Sequence, residues 1–105
     1  MYESIRHSYR AVQLKPNYAE AHSNLGLALH RAGQVDDAIG HLQRAIAIKS
    51  DFAGAHYNLA MALASQGRID EAIEHLHRVL QIEPDYPDAR DKLNLALQFK
   101  AARPR

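Results

Sequence analysis

A 34-residue period runs through most of this sequence and constrains its fold more than any other feature. Residues 19–52 align without gaps with residues 53–86, and 16 of the 34 aligned positions are identical. A repeat of this length without insertions is typical of arrays in which each unit buries its apolar face against the next. We therefore expect stacked copies of one small unit.

Two amphipathic helices are predicted within each unit. Leu25 and Leu29 recur at helical spacing before Gly33, and Ala38 and Leu42 recur at the same kind of spacing after it. Because glycine adopts positive φ without strain, Gly33 predicts the end of the first helix and a tight turn. Each unit is thus predicted to be a hairpin of two helices.

Polar residues mark the boundaries between the units. Asn17, Asp51 and Asp85 stand one full period apart, each just ahead of a first helix. Their side chains accept hydrogen bonds from backbone N–H groups, so all three are predicted N-caps. Pro16 and Pro84 break the chain after the preceding second helix.

Both units resemble the tetratricopeptide repeat family at the positions that define its repeat. The matching residues are His22, Leu25, Gly26, Leu29, Gly33, Ala38, Leu42 and Ala45 in one unit, and His56, Leu59, Ala60, Leu63, Gly67, Ala72, Leu76, Val79 and Pro84 in the next. Histidine stands where the family usually has a large aromatic residue, and Ser50 replaces one closing proline. The resemblance implies an all-α fold, a right-handed superhelix of paired α-helices.

Extending the period to both ends predicts one domain with six helices. The predicted segments are a half-repeat helix at 2–14, full repeats at 19–52 and 53–86, a capping helix at 87–99 and a basic tail at 100–105. The half-repeat matches a second helix, so its apolar side expects a first helix that the sequence does not supply. Either that helix has been cut away or lost, or another molecule covers this side.

Composition and charge exclude several classes of function. The chain has 13 basic and 12 acidic residues and a net charge of +1, which argues against nucleic acid or a membrane surface as partner. It has no cysteine, no apolar run of about 20 residues and no apolar core of a signal peptide at its start. We expect a soluble, cytoplasmic chain; if it is part of a longer protein, an address signal would lie outside it.

Seven histidines call for a test of metal binding. His7, His41 and His75 occupy equivalent positions of successive second helices, as His22 and His56 do on first helices. Helices pack about 8 to 10 Å apart, whereas zinc needs each ligand nitrogen at about 2.0 to 2.1 Å. Equivalent histidines of successive repeats are therefore too far apart to share an ion, and neither a metal nor another cofactor is predicted.

A carboxylate precedes His7, His41 and His75 by four positions, Asp37 and Glu71 among them. This spacing suits an acid/base pair, and it equally suits surface pairs worth about 0.2 to 0.5 kcal/mol each. Three copies without a nearby nucleophile favour the surface interpretation. With no phosphate-binding loop or nucleophile motif in the sequence, we predict no catalytic residues and no enzyme.

The resemblance implies a concave groove, lined mainly by the first helices, that holds a segment of another protein. The predicted contact residues are Asn24, Leu27, His30, Arg31, Tyr57, Asn58, Met61, Lys92 and Leu95. Three of them, Leu27, Met61 and Leu95, form an apolar track, with Asn24 and Asn58 beside it. An amide both donates and accepts, so stacked asparagines suit a peptide backbone of any sequence.

This asparagine pair is similar to the asparagine ladder inside the repeat superhelix of protein O-glycosyltransferases, with Lys92 in place of a third rung. The alternative is that Asn24 and Asn58 only hydrogen-bond neighbouring helices. Family members that bind chaperone tails use a basic and amide clamp, and Ser23 and Leu27 replace its key sites, which disfavours that mode.

Two functions follow from the sequence. The first is a protein-interaction module that binds an extended or helical peptide segment along the groove. The alternative is a self-assembling scaffold, a homo-oligomer formed through Ile5, Val12, Leu95 and Phe99. Leu95 and Phe99 either bind a neighbour or face the groove and tolerate water.

Overall fold

A computed structural model describes residues 2–15 and 17–102, and the side chains of this part from residue 5 onward. Within these residues the chain forms six α-helices and no β-strand. They are α1 (Tyr2–Leu14), α2 (Ala19–Arg31), α3 (Val35–Ile48), α4 (Ala53–Ser65), α5 (Ile69–Ile82) and α6 (Ala89–Ala102). Each helix packs on the next one along the chain, and α2 also contacts α4. The predicted all-α superhelix of paired helices is confirmed. Pro16, the side chain of Glu3 and the last three residues of the predicted tail lie outside the described residues.

The predicted glycine turns are confirmed. Gly33 and Gly67 adopt φ of 85° and 78°. The Gly33 N–H donates to the carbonyl of His30, and the Gln34 N–H donates to the carbonyl of Leu29. The same two bonds recur around Gly67. This pair of bonds satisfies carbonyls at the end of the first helix while the left-handed glycine turns the chain into the second.

The predicted N-caps are wrong, by one residue at Asn17 and Asp51 and by more at Asp85, because α6 begins only at Ala89. Tyr18 and Phe52, not Asn17 and Asp51, are the N-caps of α2 and α4, and neither makes a side-chain capping bond. The N–H of Phe52 donates to the carbonyl of Lys49, 3.2 Å away. This bond closes a turn against the end of α3, so the acidic residue lies inside the turn instead of at the start of the helix.

The last helix begins and ends later than predicted. It runs from Ala89 to Ala102, whereas the period predicts 87–99. Asp88 has φ of 64°, outside the right-handed helical region, so the helix starts only after it. At the other end, Lys100 forms an ion pair of 2.9 Å with Asp70 of α5. Because α6 extends to Ala102, the first part of the predicted basic tail is helical.

Leucines fill the interior between the helices. The largest fully buried side chains are Leu25, Leu29, Leu42, Leu59, Leu63, Leu76 and Val79. Helices α2 and α3 pack tightly at Gly26, where a Cβ atom would lie 2.5 Å from Leu42 Cγ. A side chain at this position would force Leu42 to shift, so the glycine lets these two helices pack with Leu42 where it lies.

Helix α1 packs on α2 through its apolar residues. Ile5 is 8% exposed and lies in one cluster with Leu25, Leu29 and Ala38, against which Val12 is half-buried. The interaction is the one that a second helix makes with the first helix that follows it. It removes Ile5 from the predicted self-association surface, because this side chain is already in the core.

Within each full repeat, a pair of histidines joins the two helices. His22 of α2 faces His41 of α3, and His56 of α4 faces His75 of α5. Burial lowers the pKa of His75 and the charge of Glu71, four residues away, opposes this shift, while the hydrogen bonds that Glu71 accepts come from Arg68, at 2.9 and 2.8 Å. The sequence analysis does not predict these pairs, although the two histidines of each pair are separated by 19 residues in both repeats.

Equivalent leucines of successive repeats provide a test of this packing. Leu63 is 1% exposed, and Leu97, its equivalent one period later, is 42% exposed. We expect Leu63→Ala to lower the free energy of unfolding by about 2 to 5 kcal/mol, because it leaves a cavity in the core. Leu97→Ala is the matched control and should cost less than about 1 kcal/mol, because water already reaches the side chain. Urea unfolding followed by circular dichroism measures both, and equal losses would contradict the assigned core.

Candidate functional site

The nine predicted contact residues all lie on first helices and all reach the surface. Asn24, Arg31, Lys92 and Leu95 are exposed, and Leu27, His30, Tyr57, Asn58 and Met61 are half-buried. Since α2 and α4 are in direct contact, their residues form a continuous strip. We call this strip, with the exposed residues of α6, the first-helix surface.

The two asparagines of the first-helix surface are in different environments. Asn58 Nδ2 donates to the hydroxyl oxygen of Ser23, 3.3 Å away on α2, and Ser23 is 3% exposed. Asn24 is exposed. The bond to a neighbouring helix, one of the alternatives open from the sequence, is therefore present at Asn58. It fixes the orientation of this amide, whose carbonyl oxygen is a further acceptor.

Two tyrosines stack at the end of this surface near the start of α4. The ring centroids of Tyr57 and Tyr86 lie 5.1 Å apart, with 37° between their planes. Burial raises the pKa of Tyr57, and the charge of Asp88 and the neighbouring Tyr86 raise it further. Burial, followed by the charge of Glu83, also raises the pKa of Tyr86. Both phenols therefore stay neutral at physiological pH and can exchange hydrogen bonds with a ligand.

Tyr86 was not predicted as a site residue. A signal for it exists, because Tyr18, Phe52 and Tyr86 place an aromatic residue at the same position of each period. At Gly54 a Cβ atom would lie 3.3 Å from the Phe52 ring and 3.6 Å from the Tyr86 hydroxyl. The glycine thus keeps open a notch between these two rings.

Charges at the ends of the first helices follow the helix dipoles. Glu20 and Asp91 lie in the first turns of α2 and α6, and His30 and Arg31 lie in the last turn of α2. Acids at helix N-termini and bases at C-termini are stabilising. The same arrangement gives the first-helix surface acidic groups at one edge and a basic pair at the other.

Two surface cavities lie away from the first-helix surface. One, of about 570 Å³, is lined by Arg6, His7, Tyr9, Arg10 and Gln13 of α1. The other, of about 450 Å³, is lined by Tyr9, His22, Asp36, Asp37, Gly40, His41 and Arg44.

No group of three or more histidine, aspartate or glutamate side chains is placed to hold a metal ion among the described residues. In the described part, no helix is both long enough and apolar enough to cross a membrane.

Family models and curated proteins provide the first comparisons. A model described as "Tetratricopeptide repeat" matches residues 29–95, and a second, described as "TPR repeat", matches residues 5–33. No curated protein matches the chain.

Solved structures with the same arrangement of helices provide a second comparison. An O-GlcNAc transferase mutant of Thermobaculum terrenum is 35% identical, with a TM-score of 0.89 over 96% of this chain and 19% of that one. MamA is 33% identical, with a TM-score of 0.89 over 97% of this chain and 56% of that one. The first TPR domain of Spaghetti (RPAP3), bound to an HSP90 peptide, is 21% identical, with a TM-score of 0.90 over 93% of this chain and 78% of that one. The chain thus spans only part of the first two structures.

Proposed function

The chain belongs to the tetratricopeptide repeat family, and we propose that it is a protein-interaction module that binds an extended or helical peptide along its first-helix surface. One observation carries the proposal. Leu27, Met61 and Leu95 occupy one equivalent position of the three first helices, and all three stay accessible where the leucines of the core are buried.

The apolar track supplies the affinity in this proposal. Leu27 and Met61 are half-buried, and Leu95 is 58% exposed, so a ligand can still remove much apolar surface from water. Each Å² of apolar surface removed is worth roughly 25 cal/mol. Methionine adapts its shape to different side chains, which suits a surface that accepts more than one sequence.

The amides beside the track hold the backbone of the ligand. The amide nitrogen of Asn58 is held by Ser23, so its carbonyl oxygen is oriented to accept from a peptide N–H. Asn24 can donate and accept, and Lys92 adds a positive charge at the next position. Backbone contacts do not discriminate between sequences, so selectivity falls to Tyr57, Arg31 and the other side chains of the surface.

The comparisons support a role in binding. The first TPR domain of Spaghetti (RPAP3), which has the same fold, holds a peptide of HSP90. The O-GlcNAc transferase is the more similar of the two in sequence, and this chain corresponds to 19% of it. A repeat domain of this kind is thus found both by itself with a peptide and within a much larger enzyme.

Removal of the asparagine amides tests the proposal. Peptides selected from a phage-displayed library of random peptides are the probe, and calorimetry measures their affinity. We expect Asn24→Ala with Asn58→Ala to weaken binding about tenfold or more, since each lost hydrogen bond costs about 0.5 to 1.5 kcal/mol.

Gln43→Ala, at an exposed position of α3, is the control and should leave the affinity unchanged. Amide chemical shifts should move on α2, α4 and α6 when the peptide is added. Shifts confined to α3 and α5, or equal losses in both variants, would overturn the proposal.

Self-association is the second candidate, because α6 exposes three large apolar side chains. Leu95, Leu97 and Phe99 are 58%, 42% and 55% exposed. Asn94, however, occupies the position at which Gly26 and Ala60 let a second helix approach. Another copy that packed on α6 as α3 packs on α2 would meet the Asn94 side chain. Self-association would use Leu95 and Phe99, which belong to the peptide-binding surface as well.

Sedimentation equilibrium tests this candidate. If copies associate through α6, the average mass should rise with concentration, and Leu95→Ser with Phe99→Ser should return it to 11.8 kDa, the mass of one chain. Replacement of two exposed apolar residues should hardly affect folding, which circular dichroism checks. A single-chain mass at every concentration up to about 1 mM would remove the candidate, because an association weaker than this is worth less than about 4 kcal/mol.

A further inference from the structure

The two histidine pairs have a geometry that the sequence does not reveal. The Nδ1 atoms of His22 and His41 lie 3.2 Å apart, and those of His56 and His75 lie 2.9 Å apart. The rings are nearly parallel in the first pair, at 22°, and tilted by 33° in the second. His22 and His56 are each 5% exposed, so one member of each pair belongs to the core.

A backbone carbonyl fixes the protons of the second pair. His56 Nε2 lies 2.9 Å from the carbonyl oxygen of Ser50, which only accepts hydrogen bonds, so Nε2 carries a proton. In neutral His56 the Nδ1 atom is then unprotonated and accepts. The Nδ1 atom of His75 must therefore be the donor, and the Nε2 atom of His75 is left without a proton. His56 thus connects the turn between α3 and α4, α4 itself and α5.

We propose that these histidine pairs are acid-sensitive links between the two helices of each repeat, and that each link admits one proton and breaks when a second one binds. The links are distinct from the proposed peptide-binding residues. Their behaviour does not depend on whether the first-helix surface binds a peptide.

The first proton leaves the hydrogen bond of the link in place, although the burial of His75 opposes its binding. It goes to His75 Nε2, and the resulting imidazolium still donates from Nδ1 to His56, now through a charge-assisted bond. A second proton has to go to Nδ1 of His56, which places two N–H groups and two positive charges against each other at 2.9 Å. Because the two rings interact so closely, the protons bind to the pair in separate steps.

Burial and the partner histidine oppose protonation of each pair, and nearby carboxylates favour it. Burial lowers the pKa of His75, and His56 lowers it further, while Glu74 and Glu71 of its own helix act in the opposite direction. Burial likewise lowers the pKa of His41, with His22 adding to the effect and Asp37 opposing it. The edge of the Tyr9 ring of α1 also meets His41, and Arg44 lines the same cavity.

The sign of the pH effect follows from these shifts. A histidine with a lowered pKa in the folded state binds fewer protons there than in the unfolded chain, where its pKa is about 6.5. The contribution of such a histidine to the free energy of unfolding is complete above the unfolded pKa of about 6.5, and it is lost as the pH falls through the folded pKa. Histidine is the side chain whose ordinary pKa falls between about pH 5.0 and about pH 7.5, and the hydrogen bond from Arg68 lowers the pKa of Glu71, beside His75, below its ordinary value of 4.5.

Imidazole ¹H–¹⁵N correlation spectra of the wild-type chain provide the direct test. At pH 8 we expect His56 protonated on Nε2 and His75 protonated on Nδ1, the form that free histidine disfavours. If His75 carries its proton on Nε2, the proposed link does not exist. The measurement needs no variant, so it decides the question even where a substitution prevents folding.

Two variants on one helix test the consequence for stability. His75→Gln keeps an N–H donor for His56 but does not titrate, and His77→Gln, at an exposed position of α5, is the matched control. The urea midpoint of the wild type should fall between pH 7.5 and 5.0. His75→Gln should abolish about half of this fall, because it removes one of the two pairs. The control should retain all of the fall. Equal behaviour of the two variants, or no fall in the wild type, would overturn the proposal.

Discussion

The close packing of the first helix on the second within each repeat is the constraint on which the whole structure depends. At Gly26 the two helices approach so closely that even a Cβ atom would meet Leu42. The glycine turns at Gly33 and Gly67 reverse the chain, so that the second helix runs back along the first and the buried leucines of the two helices pack together. Without this hairpin, no apolar face would be available for the next repeat, because neighbouring units in such arrays stabilise each other.

The first-helix surface is a consequence of the same packing. Leu25 and Leu29 face the second helix and are fully buried, so Leu27, between them on the other side of α2, is left accessible. The repeat reproduces this arrangement with Met61 on α4 and Leu95 on α6. A track of accessible apolar residues therefore arises from helical periodicity and not from a separate binding element. Beside the track lie Asn58, held by Ser23, and the stacked pair of Tyr57 and Tyr86.

The histidine pairs show how a repeat position can change its role. At His22 and His56 the family usually has a large aromatic residue, which fills space and has nothing to titrate. Histidine keeps much of the ring and adds two nitrogens, which bond to His75 and to a backbone carbonyl at His56. The contact between the helices is then a directional hydrogen bond, and it depends on pH as a contact of apolar rings would not. A buried polar ring is acceptable here because both of its nitrogens have partners.

The sequence by itself determined the number and order of the helices, the glycine turns and the line of residues on the first helices, because each of these depends on local spacing. It placed the N-caps at Asn17 and Asp51 and the start of the last helix at residue 87, and both were wrong, since the turns bond back to the preceding helix and Asp88 takes a positive φ. Only the tertiary structure decided that Ile5 is buried, that Asn58 is held by Ser23 and that His56 faces His75. These contacts join residues on different helices, and the rotation and separation of two packed helices are set by all the side chains between them.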